Sequence, residues 1–401
     1  MAINSVNKRY VPKLRFKGFN EFWKITKIEN EFFIKKGVQI NKSLIHQNGK
    51  FYHLNGGLTY SNKCNKWNTN KNTISISEGG ESCGYISWND QKFWAGGHLY
   101  TLDVLNSQNN SKYLYYVLKK NEKLIMNLRV GSSIPNIQKK DLFSFKISIS
   151  INNEEQIKIS NFLSLLDKQI SLLENKLKLT EQLKHNYSKN LFANKSNTPK
   201  LRFKGFIQNL RIFSLKDFGE SNGGTSLEKF FNKTDKYKVI NIGSYTKDNK
   251  YRDQGIRIGF NDKSKNKILN INDLVMVLND KTPNGNIIGR VILIDEDNKY
   301  VYNQRNQRII VGKEFDSKFL FYFLNCYNNR KKIIAYSKGN TQIYVNWKDI
   351  EMIKYFVPNQ LEEQTKISNF LLLLDKQIDN VSRKIEIIKN QKKFFLNNLF
   401  I

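Results

Sequence analysis

Two stretches of this chain carry mostly apolar residues at alternating spacings of four and three. In the first, Leu166, Ile170, Leu173, Leu177, Thr180, Lys184, Tyr187 and Leu191 keep the period; in the second, Leu374, Ile378, Val381, Ile385, Ile388, Lys392, Phe395 and Leu399 match them one for one. That is the seam of a heptad repeat. No Pro or Gly interrupts Glu154 to Phe192 or Glu362 to Phe400, so the pattern predicts two continuous helices of roughly 58 Å at 1.5 Å per residue. Two similar helices in one chain can pack on each other. The alternative is a pair of ordinary core helices, each buried in its own half.

Ahead of each helical stretch the period shortens. Runs such as "NTISIS", "KVINIG", "DLVMVL", "GRVILID" and "QRIIVG" predict short strands between Gly and Asn turns. Helical patches such as "SKYLYYVLKK" and "DSKFLFYFLN" lie among them. Each such region reads as a compact α+β module.

The halves also share words. "PKLRFKGF" occurs unchanged at Pro12 to Phe19 and Pro199 to Phe206, and "EEQIKISNFLSLLDKQI" from Glu154 matches "EEQTKISNFLLLLDKQI" from Glu362 at 15 of 17 positions. Self-similarity of this kind marks an internal repeat. The organisation it predicts is a leader at 1–19, a module at 20–153, a helix at 154–193, a second leader at 194–206, a second module at 207–361 and a second helix at 362–401.

Charge sharpens the picture. The 401 residues hold 66 Lys plus Arg against 35 Asp plus Glu, a formal charge of +31, which points to a polyanionic partner, nucleic acid first. Only 12 of the basic residues are Arg; the Lys and Asn enrichment is also what an AT-rich genome produces. No run approaches about 18 apolar residues and no amphipathic basic helix or lipidation signal is present, so a cytoplasmic protein without a membrane partner is expected. The cysteines Cys64, Cys83 and Cys326 read as buried thiols rather than a disulfide framework.

The chain lacks the marks of its own catalysis. Its five prolines include no adjacent pair, as an Asn/Asp-Pro-Pro-aromatic adenine methyltransferase segment would need. The glycine spots "NGGLTY", "EGGESCGY" and "SNGGT" do not follow the dinucleotide spacing, and there is no GK[ST] phosphate loop. His46, His53, Cys64, Cys83 and His98 match no compact zinc pattern, and "IDEDNK" at Ile294 to Lys299, the only dense carboxylate cluster, reads as a solvated hairpin turn.

The leaders, the two "EEQ" helix openings, and the segments "GSSIPNIQKKDLFSFKISI" and "GNTQIYVNWKDIEMIKYFVP" resemble the DNA-specificity subunit of Type I restriction-modification systems across essentially the whole chain. The resemblance implies two target-recognition domains of mixed α/β structure, separated by two long helices packed as an antiparallel coiled coil with a pseudo-twofold internal repeat. It implies a non-catalytic subunit that recognises a bipartite, gapped, non-palindromic duplex site. Two modification (methyltransferase) subunits and, through them, restriction subunits would be its partners. S-adenosylmethionine, ATP and Mg would belong to those partners, with no cofactor in this chain. Ser150 departs from the pattern, standing where the second half has Pro358. A coiled-coil scaffold without sequence-specific DNA binding is the competing reading, and a self-sufficient nuclease a third.

Base readout favours Arg for guanine and Asn or Gln for adenine. The first module holds one arginine, Arg129; the second holds Arg211, Arg252, Arg257, Arg290, Arg305, Arg308 and Arg330, so the second is expected to read guanine. Candidate DNA-binding residues are Arg129, Ser132, Ser133, Asn136 and Gln138 in the first module. In the second they are Lys247, Lys250, Arg252, Gln254, Arg257, Arg290, Lys338, Asn340, Thr341, Gln342 and Tyr344. For partner docking the expectation is a duplicated exposed face: Glu155, Gln156, Lys158, Asp167, Lys168 and Gln169, with Glu363, Gln364, Lys366, Asp375, Lys376 and Gln377.

Overall fold

A computed structural model describes residues 10–131, 135–192, 198–281 and 284–401. The chain divides into two compact units, one running up to Glu174 and including Arg383–Ile401, the other Asn175–Ser382. The division does not fall between the sequence repeats. Each unit takes one module, part of one long helix and part of the other.

The long helices form as the heptad pattern predicts, over Asn153–Leu191 and Leu361–Asn398. None of the sixteen seam positions is exposed. Within the first unit the rings of Phe162 and Phe395 meet edge to face at 4.8 Å, and Glu174 pairs with Lys389 at 2.6 Å. Rising numbers on one helix meet falling numbers on the other, so the packing is antiparallel. Within the second unit Tyr187 meets Phe370 at 4.8 Å and Lys184 meets Asp375 at 2.5 Å, in the same sense.

In the first unit a four-stranded antiparallel sheet has the order Phe32–Lys36, Leu99–Val104, Thr73–Ser77, Ile86–Asn89. A three-stranded sheet holds Asn62–Cys64, Phe51–Leu54 and Phe93–Ala95, the last pair parallel. Lys24–Lys27 pairs with Lys146–Ile149 beside the helix start. The core gathers Phe32, Ile74, Tyr113 and Tyr116 with Ile159 and Leu163 of the first long helix and Leu399 and Phe400 at the end of the second.

The second unit repeats this plan with unrelated strand sequences. Its four-stranded sheet runs Gly219–Gly223, Asn306–Val311, Leu274–Val277, Val291–Leu293. Its three-stranded sheet runs Arg257–Ile258, Tyr237–Ile240, Tyr300–Tyr302, again with the last pair parallel. Arg211–Ser214 pairs with Lys354–Val357. The core places Phe218, Phe319, Phe323 and Tyr355 against Leu191, Ile367 and Leu371 of the long helices. "IDEDNK" is a turn, as expected, but it joins two different sheets and is not a hairpin.

Candidate nucleic-acid interface

The repeated words turn out to bind one another. Arg15 of the first leader sends Nε and Nη2 to both carboxylate oxygens of Glu155, at 2.6 and 2.9 Å; Arg202 does the same to Glu363 at 2.7 and 2.7 Å. Both arginines are pushed above their ordinary pKa by that hydrogen bonding. The leader backbone continues to the far end of the other helix: Leu14 N–H donates to the Asn398 carbonyl at 2.8 Å, and Leu201 N–H to the Asn190 carbonyl at 2.9 Å. Each leader thus ties the start of one long helix to the end of the other.

The glutamine of each "EEQ" has a second stitching role. Gln156 Oε1 accepts from Asn110 N–H at 2.8 Å while its Nε2 donates to the Ser150 carbonyl; Gln364 Oε1 accepts from Asp316 N–H at 2.9 Å while its Nε2 donates to the Pro358 carbonyl. Asn110 and Asp316 are the N-caps of the helices Ser111–Lys120 and Ser317–Asn325. From those helices Tyr116 and Tyr322 donate to Asp167 and Asp375, each at 2.7 Å, and Lys392 and Lys184 close the two nodes. A Lys in the seam is tolerated because a carboxylate partner meets it there.

These contacts correct the expectation of a duplicated exposed docking face. Glu155, Gln156, Glu363 and Gln364 are all no more than 1% exposed, and Asp167 and Asp375 are half-buried in the nodes. The reason is that a carboxylate or amide at a helix start is the cheapest partner for a charged leader and an open N-cap, and pairing demands burial. Lys158 and Lys366 are exposed but lie over the leader rings, at 5.4 Å from Phe16 and 5.5 Å from Phe203. Lys168, Gln169, Lys376 and Gln377 remain exposed on the helix surface.

The two loops singled out from the sequence are structural equivalents. Val130 and Asn136 exchange backbone hydrogen bonds of 2.8 and 2.9 Å, and Lys338 and Tyr344 exchange bonds of 2.9 and 3.0 Å. Each pinched loop is then anchored by the next residue, Ile137 N–H to the Glu78 carbonyl and Val345 N–H to the Leu278 carbonyl. Arg129, Asn136 and Gln138 are exposed at the first loop; Lys338, Asn340, Thr341 and Gln342 are exposed at the second, with Tyr344 half-buried. Ser132 and Ser133 lie outside the described residues.

The basic run at 247–257 is mostly held by the protein itself. Lys247 and Gln254 are exposed. Lys250 pairs with Asp379 at 2.5 Å, Arg252 donates to the Gly243 carbonyl at 2.9 Å, and Arg257 grips Asp253 at 2.8 and 2.9 Å. That grip holds the Asp253 carboxyl well below its ordinary pKa. Arg290 is half-buried on Asn249 and the Asn286 carbonyl, and burial lowers its pKa to about 10. A 410 Å³ cavity borders part of this run, lined also by Lys184, Tyr322 and Asp375. It is separate from the pinched loop.

The remaining arginines of the second module sort in the same way. Arg211 donates to Asn359, Arg308 pairs with buried Asp273 at 2.7 Å, and Arg330 donates to the carbonyls of Asn286 and Ile288. Arg305 alone is exposed with no side-chain partner among the described residues. It sits at φ +69°; the other four non-glycine residues with positive φ among those described are all asparagines. Left-handed backbone costs a residue with a Cβ about 1–2 kcal/mol. It persists here because its flanks are fixed: Gln304 N–H donates to the Thr225 carbonyl, Leu278 N–H to the Arg305 carbonyl and Gly224 N–H to the Asn306 carbonyl, at 2.8, 2.9 and 2.8 Å. Asn303 and Gln304 both donate to Glu228, whose carboxyl is lowered to about 2: burial works to raise it, and the hydrogen bonds from Ser226, Asn303 and Gln304 win. Arg305 and Tyr344 share the wall of a 460 Å³ cleft with Gly223, Gly224, Asn279 and Trp347. Only glycine fits at 224, where a Cβ would strike the Asn303 carbonyl. Arg305 is one of the seven arginines behind the guanine expectation but is not among the candidate DNA-binding residues read from the sequence; the available signal was an arginine in a turn, "YNQRN", with no glycine.

Among the described residues no group of three or more His, Cys, Asp or Glu is arranged to hold a metal ion. Cys64, Cys83 and Cys326 are free and buried, and burial raises each thiol. Among the described residues no helix is long and apolar enough to cross a membrane.

A module that appears twice, clasped by repeated leaders to two antiparallel helices and offering a pinched polar loop, defines a paired recognition protein. Residues 20–184 and 208–390 both match the Type I restriction modification DNA specificity domain, and the chain belongs to that family. It is 36% identical over 183 residues to a putative type I specificity subunit of Mycoplasma genitalium, covering 45% of this chain and spanning about half, 47%, of that relative. It is 26% identical to the specificity subunit of the Type I restriction enzyme MjaVIII of Methanocaldococcus jannaschii, over 82% of this chain and 78% of that one. The fold is shared with the crystal structure of a Type I restriction-modification system S subunit from M. genitalium, at 22% identity and TM-score 0.70 over 98% of this chain and 99% of that one.

Proposed function

We propose that this chain is the DNA sequence-specificity subunit of a Type I restriction-modification complex. Its two modules recognise a bipartite, gapped and non-palindromic duplex site. The reading is supported above all by one observation: a single chain builds the same strand order twice, while the exposed loops of the two copies carry different side chains. Equal scaffolds with unequal reading loops suit two unequal half-sites. The charge of +31 supplies the attraction to the phosphate backbone.

Two modification subunits dock on this chain, and restriction subunits join through them. The exposed pairs Lys168 and Lys376, and Gln169 and Gln377, are equivalent positions suited to two equivalent partners. Adenine methylation takes place in the modification subunits, which hold S-adenosylmethionine; ATP and Mg serve the restriction subunits. This chain supplies register and no catalytic group.

The test is co-expression with the cognate modification subunit and mapping of methylated adenines by single-molecule sequencing. One gapped, non-palindromic motif is expected. A stable complex with an active partner and no new motif leaves a coiled-coil scaffold as the better description.

A further inference from the structure

We propose that Arg305 is a specificity-determining residue that reads a guanine in the half-site bound by the second module. The inference rests on the function proposed above and adds the residue that decides one base.

Three independent observations converge on it. Six of the seven arginines of this module are engaged with protein groups, and Arg305 is the one whose guanidinium has no side-chain partner among the described residues. A free guanidinium is the group that pairs bidentately with the O6 and N7 of guanine. Second, its backbone occupies the left-handed region at φ +69° where the described residues otherwise use asparagine or glycine. A turn free to choose would place one of those residues there, so the arginine is retained against a backbone cost for what its side chain does. Third, the turn is fixed by backbone hydrogen bonds on both flanks and by Glu228 beneath Asn303 and Gln304. Pre-positioning of this kind lowers the entropy lost when a long side chain is ordered on a base. Arg305 also lines the same cleft as Tyr344 from the pinched loop, so two separate segments of the module face one space.

The equivalent turn of the first module is Gly96, Gly97 and His98, between Phe93–Ala95 and Leu99–Val104. There the residue before the strand is His98, with a side chain 66% exposed. The same scaffold position therefore carries different donors in the two modules.

The experiment uses the full chain in complex with its modification subunit. R305G removes the guanidinium and suits the backbone, so the variant is expected to melt no lower than the parent chain; R305K keeps the charge without the fork. Methylation mapping of the parent gives the two-part motif. R305G is expected to lose discrimination at one guanine of one half, by roughly 5- to 150-fold in competition binding, with the other half unchanged, and R305K is expected not to restore it. An unchanged motif in R305G overturns the assignment. So does a uniform weakening across all sequences with a shallower salt dependence, which marks a phosphate contact. Failure of the underlying function looks different: the parent complex itself then yields no motif.

Discussion

The two Arg–Glu clasps perform one task in two environments. Glu155 accepts two bonds from Arg15, a third from Trp23 Nε1 at 3.1 Å and a fourth from Ser150 Oγ at 2.5 Å. Glu363 accepts only the two bonds from Arg202 among the described residues. The donors are missing because Leu210 stands in the second half where the first has Trp23, and Pro358 where it has Ser150. The departure at Ser150 noted in the sequence is therefore a change in how a buried carboxylate is satisfied. The shared feature, a bidentate arginine, holds the helix ends; the variable ones tune how much depends on a single glutamate.

Removing that glutamate is the strongest way to test the comparison. Glu155→Ala leaves Arg15 with Glu21 at 3.8 Å, strands the indole N–H and the serine hydroxyl together, and is expected to cost about 3–5 kcal/mol. Glu363→Ala strands the arginine alone and is expected to cost less, about 3 kcal/mol. Thermal melts of the purified full chain measure both, and equal losses would break the asymmetry argued here.

A smaller effect sharpens the symmetric side. Tyr116 and Tyr322 meet Asp167 and Asp375 at the same distance, 2.7 Å. Tyr116→Phe and Tyr322→Phe are each expected to cost about 1.5–3 kcal/mol, the range for a bond to a charged group. Tyr116 also shares a 3.2 Å hydrogen bond with Ser164 Oγ, where the second half has Leu372, so Tyr116→Phe should cost the more, by about 0.5–1.5 kcal/mol. A loss in one and not the other would show that the repeated nodes differ in more than sequence.

The smallest effect separates the two reading turns. Glu228 has its carboxyl lowered from 4.5 to about 2 by the groups it braces. A carboxylate with a depressed pKa in the folded chain stabilises above its unfolded pKa, and that contribution is lost as pH falls from about 4.5 toward about 2. Because Glu228 is exposed, water screens the effect and it should stay below about 1 kcal/mol. The parent chain and Glu228→Gln should therefore converge in stability across that window and differ above it. Identical pH profiles would remove Glu228 as a brace of the Arg305 turn.

Much of the architecture is legible in the sequence because it rests on local physics. Heptad spacing without Pro or Gly dictates the long helices, and the strand runs and short helical patches dictate the elements of each module. The pairing of the loops around Asn136 and Tyr344 was also visible, since each precedes the same conserved helix. The repeated words were legible as a repeat but not as partners: nothing in "LRFKGF" or "EEQ" says that the arginine of one finds the glutamate of the other. Their identity suggested an exposed shared surface, when most of it is an internal contact conserved between halves.

By itself the sequence determined the duplication, the helix lengths, the strand-rich modules and the excess of positive charge. Those follow from periodicity, composition and steric preference within a few residues of each position. Only the tertiary structure decided which charges are satisfied and which are free. Seven arginines of the second module look alike in the sequence; burial, a facing carboxylate or a nearby carbonyl engages six of them and leaves Arg305 exposed on a strained turn. That outcome depends on residues tens to hundreds of positions apart, because an ion pair or a hydrogen bond is set by distance in space, which local sequence does not encode.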